Sequence, residues 1–166
     1  MNGEYIKKMY FDKFYERAYP YLKEAAGEKV DLKKIAEMVK SRIEIFPDIP
    51  EQVDFFKAVP EYALSLYQNK KAKTTEENSL QLLKEVLPLL EKETDYSNDR
   101  LYSLLQEFSA EKGYKTGFTM WPIRIALSGK MMTPAGATEI LSVLGKEESL
   151  RRLKRAMERL EAREKN

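Results

Sequence analysis

Between Lys112 and Thr138 the sequence holds no aspartate or glutamate, although acids make up 27 of its 166 residues. That stretch carries the cations Lys112, Lys115, Arg124 and Lys130, with Tyr114, Phe118, Trp121, Thr119 and Thr133 among them. Lysine and arginine neutralise phosphates, and aromatic rings or guanidinium planes stack on unpaired bases. Cations without neighbouring acids, interleaved with rings and hydroxyls, therefore suit a phosphate-and-base surface. The plainer expectation stands beside it: Phe118, Trp121, Ile125 and Leu127 form core, and the missing acids are chance.

Other chemistries find less support. With no histidine and no cysteine, the chain cannot build a histidine triad, a Cys/His dyad or a thiolate zinc site. An enzyme made from it would have to work with carboxylates, Lys, Tyr or Ser. The adjacent acids Glu76/Glu77 and Glu147/Glu148 point in different directions on a helix, so they make poor acid–base pairs. Gly113 to Gly117 has neither Walker spacing nor a preceding strand. The last segment carries Lys146, Arg151, Arg152, Lys154, Arg155, Arg159, Arg163 and Lys165. It reads as a solvated helix face with Glu147–Arg151 and Glu148–Arg152 pairs, able to offer a residue or two to phosphates.

The elements that must position these residues read almost entirely as helix, about eight or nine of them, with no sustained strand alternation. Tyr15, Tyr19 and Leu22 share a stripe in a helix ending at Gly27. Asp31 caps a second helix carrying Leu32, Ile35, Met38, Val39 and Ile43, which Pro47 and Pro50 break. Short helices are expected at 52–57 and 61–67. The stretch 69–75, with Lys70, Lys71 and Lys73, reads as a linker between subdomains 1–68 and 76–166. Thr74 with Glu77 matches a capping box opening a helix over Leu80–Leu90, which Pro88 should kink or shorten. Ser97 caps a helix ending at Gly113, and another runs from about Thr116 to Leu127. Thr133 and Pro134 look like the N-cap and first position of a helix reaching Gly145.

The length suits one domain or two very small ones, and 43% apolar residues are enough for a core. The net charge of +2 leaves no global basic field, though a local patch is compatible with it. No apolar run is long enough to span a membrane, and the first residues lack the apolar core of a signal peptide. A cytoplasmic setting is expected, with no membrane partner.

Residues 107–147 resemble the C-terminal anticodon-binding domain of bacterial-type glutamyl-tRNA synthetases. The resemblance rests on a helix junction with Ala110, Glu111, Gly113, Lys115 and Gly117, then the run Pro122 to Gly129 with Arg124, Ala126 and Leu127. A turn with Pro134 and Gly136 follows, and a helix ending Leu144-Gly145-Lys146-Glu147. Met1 to Ile6 is similar to the segment that leads from the family's catalytic half into its helical half. The family's ATP signatures are missing, so the chain resembles an excised half of a longer synthetase or a stand-alone relative.

The resemblance implies an all-α cage of two helical subdomains that binds the anticodon loop of a glutamate-accepting tRNA and supports its selection for glutamylation. It implies no catalytic residue, metal or cofactor in this chain, with ATP in the catalytic half of the parent, itself a ligase and a partner in the same polypeptide. A monomer is expected. Arg124 and the turn Thr133, Pro134 and Gly136 fall where the family contacts the first two anticodon bases. That turn is one residue longer than the shortest in the family. Arg42 aligns with a position that can read the third base; Lys112, Lys115 and Lys130 would contact phosphates. The alternative from another class is a helical protein–protein interaction domain without RNA affinity.

Overall fold

A computed structural model describes residues 2–165; Met1, the first residue of the amino-terminal motif, and Asn166 lie outside them. Among the described residues there are nine α-helices, three short 3-10 helices and no strand, so the expected all-α class holds. The chain divides into two compact units. One runs to Pro60 and takes in Met132–Ala135; the other holds Glu61–Met131 and everything from Gly136 onward. The stretch 69–75, expected to link subdomains, lies within the second unit.

The first unit contains α1 (Asn2–Lys8), α2 (Phe11–Ala26), α3 (Leu32–Val39) and α4 (Ile49–Val53). Its core gathers Phe14, Ala18 and Leu22 of α2 with Ile35, Val39, Ile49, Val53 and Phe55. The buried stripe of α2 is therefore Phe14, Ala18, Leu22 and Ala26. Tyr15 and Tyr19 sit on its half-exposed flank, because Leu22 shares a face with Ala18 rather than with them. Pro20 lies inside this helix without ending it. The Asp31 carboxylate accepts from the Lys33 and Lys34 amides and starts α3 as expected. The helix stops at Val39, short of Ile43; Pro47 and Pro50 instead sit near the starts of the 3-10 helix Phe46–Asp48 and of α4. Proline is tolerated there because that amide would be unpaired anyway.

The second unit contains α5 (Glu76–Lys92), α6 (Asn98–Lys112), α7 (Thr116–Ser128), α8 (Ala137–Leu144) and α9 (Lys146–Lys165). Its core includes Tyr67, Leu83, Val86, Leu90, Leu101, Leu105, Ile123, Leu127, Ile140, Leu141, Leu153 and Leu160. Helix α5 opens one residue later than the capping box at Thr74 anticipated. The Thr75 hydroxyl accepts from the Asn78 amide, and the Asn78 side chain accepts from the Thr75 amide at 2.7 Å. Pro88 does not shorten α5, which continues to Lys92. The Ser97 cap and the left-handed Gly113 (φ 73°) and Gly129 (φ 64°) bound α6 and α7 as the sequence suggests. Helix α8 begins three residues beyond Pro134, where the Glu139 carboxylate accepts from the Gly136 amide at 3.3 Å.

Two polar anchors tie these helices together. The Arg159 guanidinium lies 4.4 Å over the Tyr62 ring and donates to the Tyr62 carbonyl. Arg152, expected on a solvated face, is 2% exposed. It donates to Glu148 and to the Leu127 carbonyl, each at 2.7 Å. A buried guanidinium needs such partners, and the end of α7 offers unpaired carbonyls to one. Arg151 pairs with Glu148 as well. Arg151 is therefore the first cause, and Arg152 the second, holding the Glu148 carboxyl down at about 2.

Candidate nucleic-acid interface

Helix α7 organises the site. Trp121, half-buried, donates its indole N–H to the Leu66 carbonyl at 2.9 Å, which anchors the ring. Three residues on, the Arg124 guanidinium lies 4.8 Å above that ring. Arg124 also donates to the carbonyls of Lys130 and Met131, at 3.5 and 2.7 Å. One side chain thus closes the turn after α7 and extends the Trp121 surface with a cationic plane. Partial burial lowers the Arg124 pKa, but a guanidinium stays protonated in proteins.

Around this pair opens a groove of about 980 Å³, formed wholly within the second unit. Rings of Tyr102, Tyr114, Phe118 and Trp121 line it, and Lys71, Lys73, Lys115 and Arg124 supply its cations. Tyr114 and Phe118 rings are 4.7 Å apart at their centroids. Tyr114 is steadied by a 2.9 Å bond from its hydroxyl to Glu85, the first cause of its raised pKa. Glu139 is the one carboxylate of the described lining, and its oxygen is taken up by the Gly136 amide. The groove can therefore stack flat rings and neutralise anions at the same place.

The sequence-derived residues do not all gather here. Lys115, Arg124 and Gly136 line the groove. Lys112 does not; its ammonium lies 3.6 Å from Glu85 of α5, an acid far from the acid-free stretch in sequence. Lys130 is half-buried in the turn that Arg124 closes. Thr133 donates to the Ala135 carbonyl at 2.6 Å, and it and the buried Pro134 belong to the first unit. Arg42 also belongs to the first unit, exposed in the turn after α3. Its amide donates to the Val39 carbonyl at 2.8 Å.

The residues that sequence reasoning missed are Lys71 and Lys73 with Asn69, and Tyr102 on α6, 47% exposed. A signal was present: three lysines in four residues, assigned to a linker because no apolar periodicity surrounded them. Among the described residues no cluster of three or more acids suited to a metal ion occurs, and no helix is long and apolar enough to cross a membrane.

Known proteins resemble this chain along nearly its whole length. The family model described as an anticodon binding domain matches residues 13–157. A glutamate–tRNA ligase of Lachnoclostridium phytofermentans is 52% identical over 160 residues, covering 96% of this chain and 33% of that protein. One of Clostridium acetobutylicum is 45% identical over 162 residues, covering 97% and 33%. The chain thus spans about a third of the length of these relatives. Among solved structures, a glutamate tRNA ligase from Elizabethkingia meningosepticum, in complex with its amino acid, matches with a TM-score of 0.79. It is 25% identical, covering 96% of this chain and 31% of that one.

Proposed function

The chain belongs to the anticodon-binding domain family, and on that premise we propose that it grips the anticodon loop of a glutamate-accepting tRNA. In this reading it is the tRNA-selecting portion of a glutamate–tRNA ligase, whose ATP-dependent chemistry resides elsewhere in the longer protein. The observation that carries the reading is the groove of the second unit, where a fixed Trp121 ring, the Arg124 plane and the neighbouring lysines face solvent together. An unpaired loop exposes base faces and edges that a duplex hides, and such a groove takes those faces by stacking.

Arg42 is the candidate reader of the third anticodon base. Glutamate anticodons end in C and glutamine anticodons in G. On its Watson–Crick edge cytosine presents two acceptors, O2 and N3, beside one donor, whereas guanine presents two donors, N1–H and N2–H₂, beside one acceptor. Arginine only donates, so at that edge it favours C. The exposed Arg42 guanidinium makes no hydrogen bond or ion pair among the described residues, and so is available to a base.

The test compares two anticodon stem-loops, identical except for C or G at that base, by filter binding at fixed salt. Wild type should prefer the C-ending loop by about 1–3 kcal/mol, the usual worth of a bidentate contact. Arg42→Gln should narrow that preference, since an amide both donates and accepts. An unchanged preference would remove Arg42 from the role.

A further inference from the structure

The turn of three lysines at 69–74 is held by a dense set of local bonds. Asn69 and Thr74 exchange both backbone hydrogen bonds, each 3.1 Å long. Inside that ring the Asn69 side-chain oxygen accepts from the Ala72 amide at 3.0 Å. The buried Thr74 hydroxyl donates to the Tyr67 carbonyl at 2.7 Å, and the Asn78 amide group donates to the Lys73 carbonyl at 3.2 Å. Local bonds thus meet the backbone's needs and fix where the lysines emerge. The Ala72 methyl lies 3.9 Å from where a Cβ on Gly117 would stand, so the turn abuts the first residues of α7, beside Lys115.

Lys71 and Lys73 make no ion pair among the described residues, as is true of most lysines of the chain; Lys23, Lys112 and Lys154 each lie within 3.6 Å of a carboxylate. Lys73 also holds a φ of 63°, the one described non-glycine residue in the left-handed region. A lysine there carries a steric cost that glycine would not. Strain kept at a cationic side chain beside an aromatic groove points to a use for the cation.

We propose that the Asn69–Thr74 turn is a preformed clamp for the sugar–phosphate backbone of single-stranded RNA. Lys71 and Lys73 hold phosphates at the rim while the bases stack in the groove on Tyr102, Tyr114, Phe118 and Trp121. The proposal deepens the anticodon-loop reading and rests on it for the identity of the strand. Charge complementarity selects the occupant: four cations line the groove against one carboxylate in the described lining. The clamp carries no sequence information, since phosphate contacts set register and affinity rather than base choice.

The test titrates the 166-residue chain with two RNA stem-loops, one bearing a glutamate anticodon and one a scrambled loop, across a range of salt. The double variant Lys71→Gln/Lys73→Gln should lower the slope of log affinity against log salt by about 1.4, two single-strand phosphates' worth. At physiological salt both loops should weaken about tenfold and alike. Lys70→Gln serves as the control, since Lys70 sits on the same turn but does not line the groove; it should leave the slope in place. Lys73→Gly separates binding from folding: it should keep or raise the melting temperature while weakening both loops. An unchanged slope in the double variant, or an equal effect from Lys70→Gln, overturns the clamp. If wild type binds both loops equally, the anticodon reading fails while the slope still judges the clamp. If wild type prefers the glutamate loop but the double variant keeps its slope, only the clamp fails. Binding of neither loop removes both.

Discussion

Arg124 and Arg152 use the same side chain for opposite ends. Arg124 lies half-buried on Trp121 and lines a groove, while Arg152 is enclosed and joins α9 to the end of α7. Truncating the buried Arg152 strips the Leu127 carbonyl of its side-chain donor and leaves Glu148 with Arg151 alone. Arg152→Ala should therefore cost about 3–5 kcal/mol in urea unfolding. Arg151→Ala, which removes an exposed partner of the same carboxylate, should cost about 1 kcal/mol or less. Similar losses for the two variants would mean that the enclosed bond carries no special weight.

The same carboxylate predicts a pH dependence. Glu148 titrates at about 2 in the folded chain against an ordinary 4.5. A depressed carboxyl contributes stability that is fully present above its unfolded value and is lost as the pH falls through the folded one. Stability should thus decline from about pH 4.5 towards pH 2, and Glu148→Gln should flatten that part of the curve by roughly 1–2 kcal/mol, allowing for the solvent that reaches the side chain. A variant curve parallel to wild type over that window would exclude Glu148 as its source.

At the scale of elements, capping decides where the site's supports begin. Thr75 and Asn78 satisfy each other's amides at the start of α5, and Asn78 also ties back to the lysine turn. Thr75→Ala should cost about 1 kcal/mol. It should also raise amide hydrogen exchange at residues 70–78 more than in α9, because it frees the residue that joins turn to helix. Uniform exchange across the second unit would show that the turn does not depend on the cap. Helix ends marked by residues with one local purpose were legible in the sequence: Asp31, Ser97, Gly113 and Gly129 all stand where expected. Shifts came where two local solutions compete. Thr74 and Thr75 are both capping residues, and burial of the Thr74 hydroxyl against Tyr67 decides between them. Thr133-Pro134 likewise looks like a helix start, but Glu139 can reach back only to Gly136. Part of the site was legible through its missing acids. The lysine turn was not, because its proximity to Lys115 arises from a tertiary contact at Gly117 that no local pattern encodes.

Across the whole molecule, 29 basic and 27 acidic residues nearly cancel. A chain that bound RNA through its overall field would need a larger excess, so the proposed binding rests on local arrangement. Lys112 shows the cancellation at work, its charge answered by Glu85 from a distant helix. The groove keeps a local excess, with four cations and one carboxylate in its described lining. It also presents ring faces, which paired bases inside a duplex cannot reach because each is covered by its neighbours in the stack. A blunt RNA duplex matching the stem-loop in phosphate number should therefore bind much more weakly than the stem-loop at physiological salt. Each base stacked on an aromatic face contributes about 1–3 kcal/mol, so engagement of even one base predicts a difference of at least about fivefold. Trp121→Ala should erase most of the difference by weakening the stem-loop and leaving the duplex where it was. Fluorescence anisotropy on both RNAs measures this directly; equal affinity for duplex and stem-loop in the wild-type chain would transfer the interaction from the groove to diffuse surface charge.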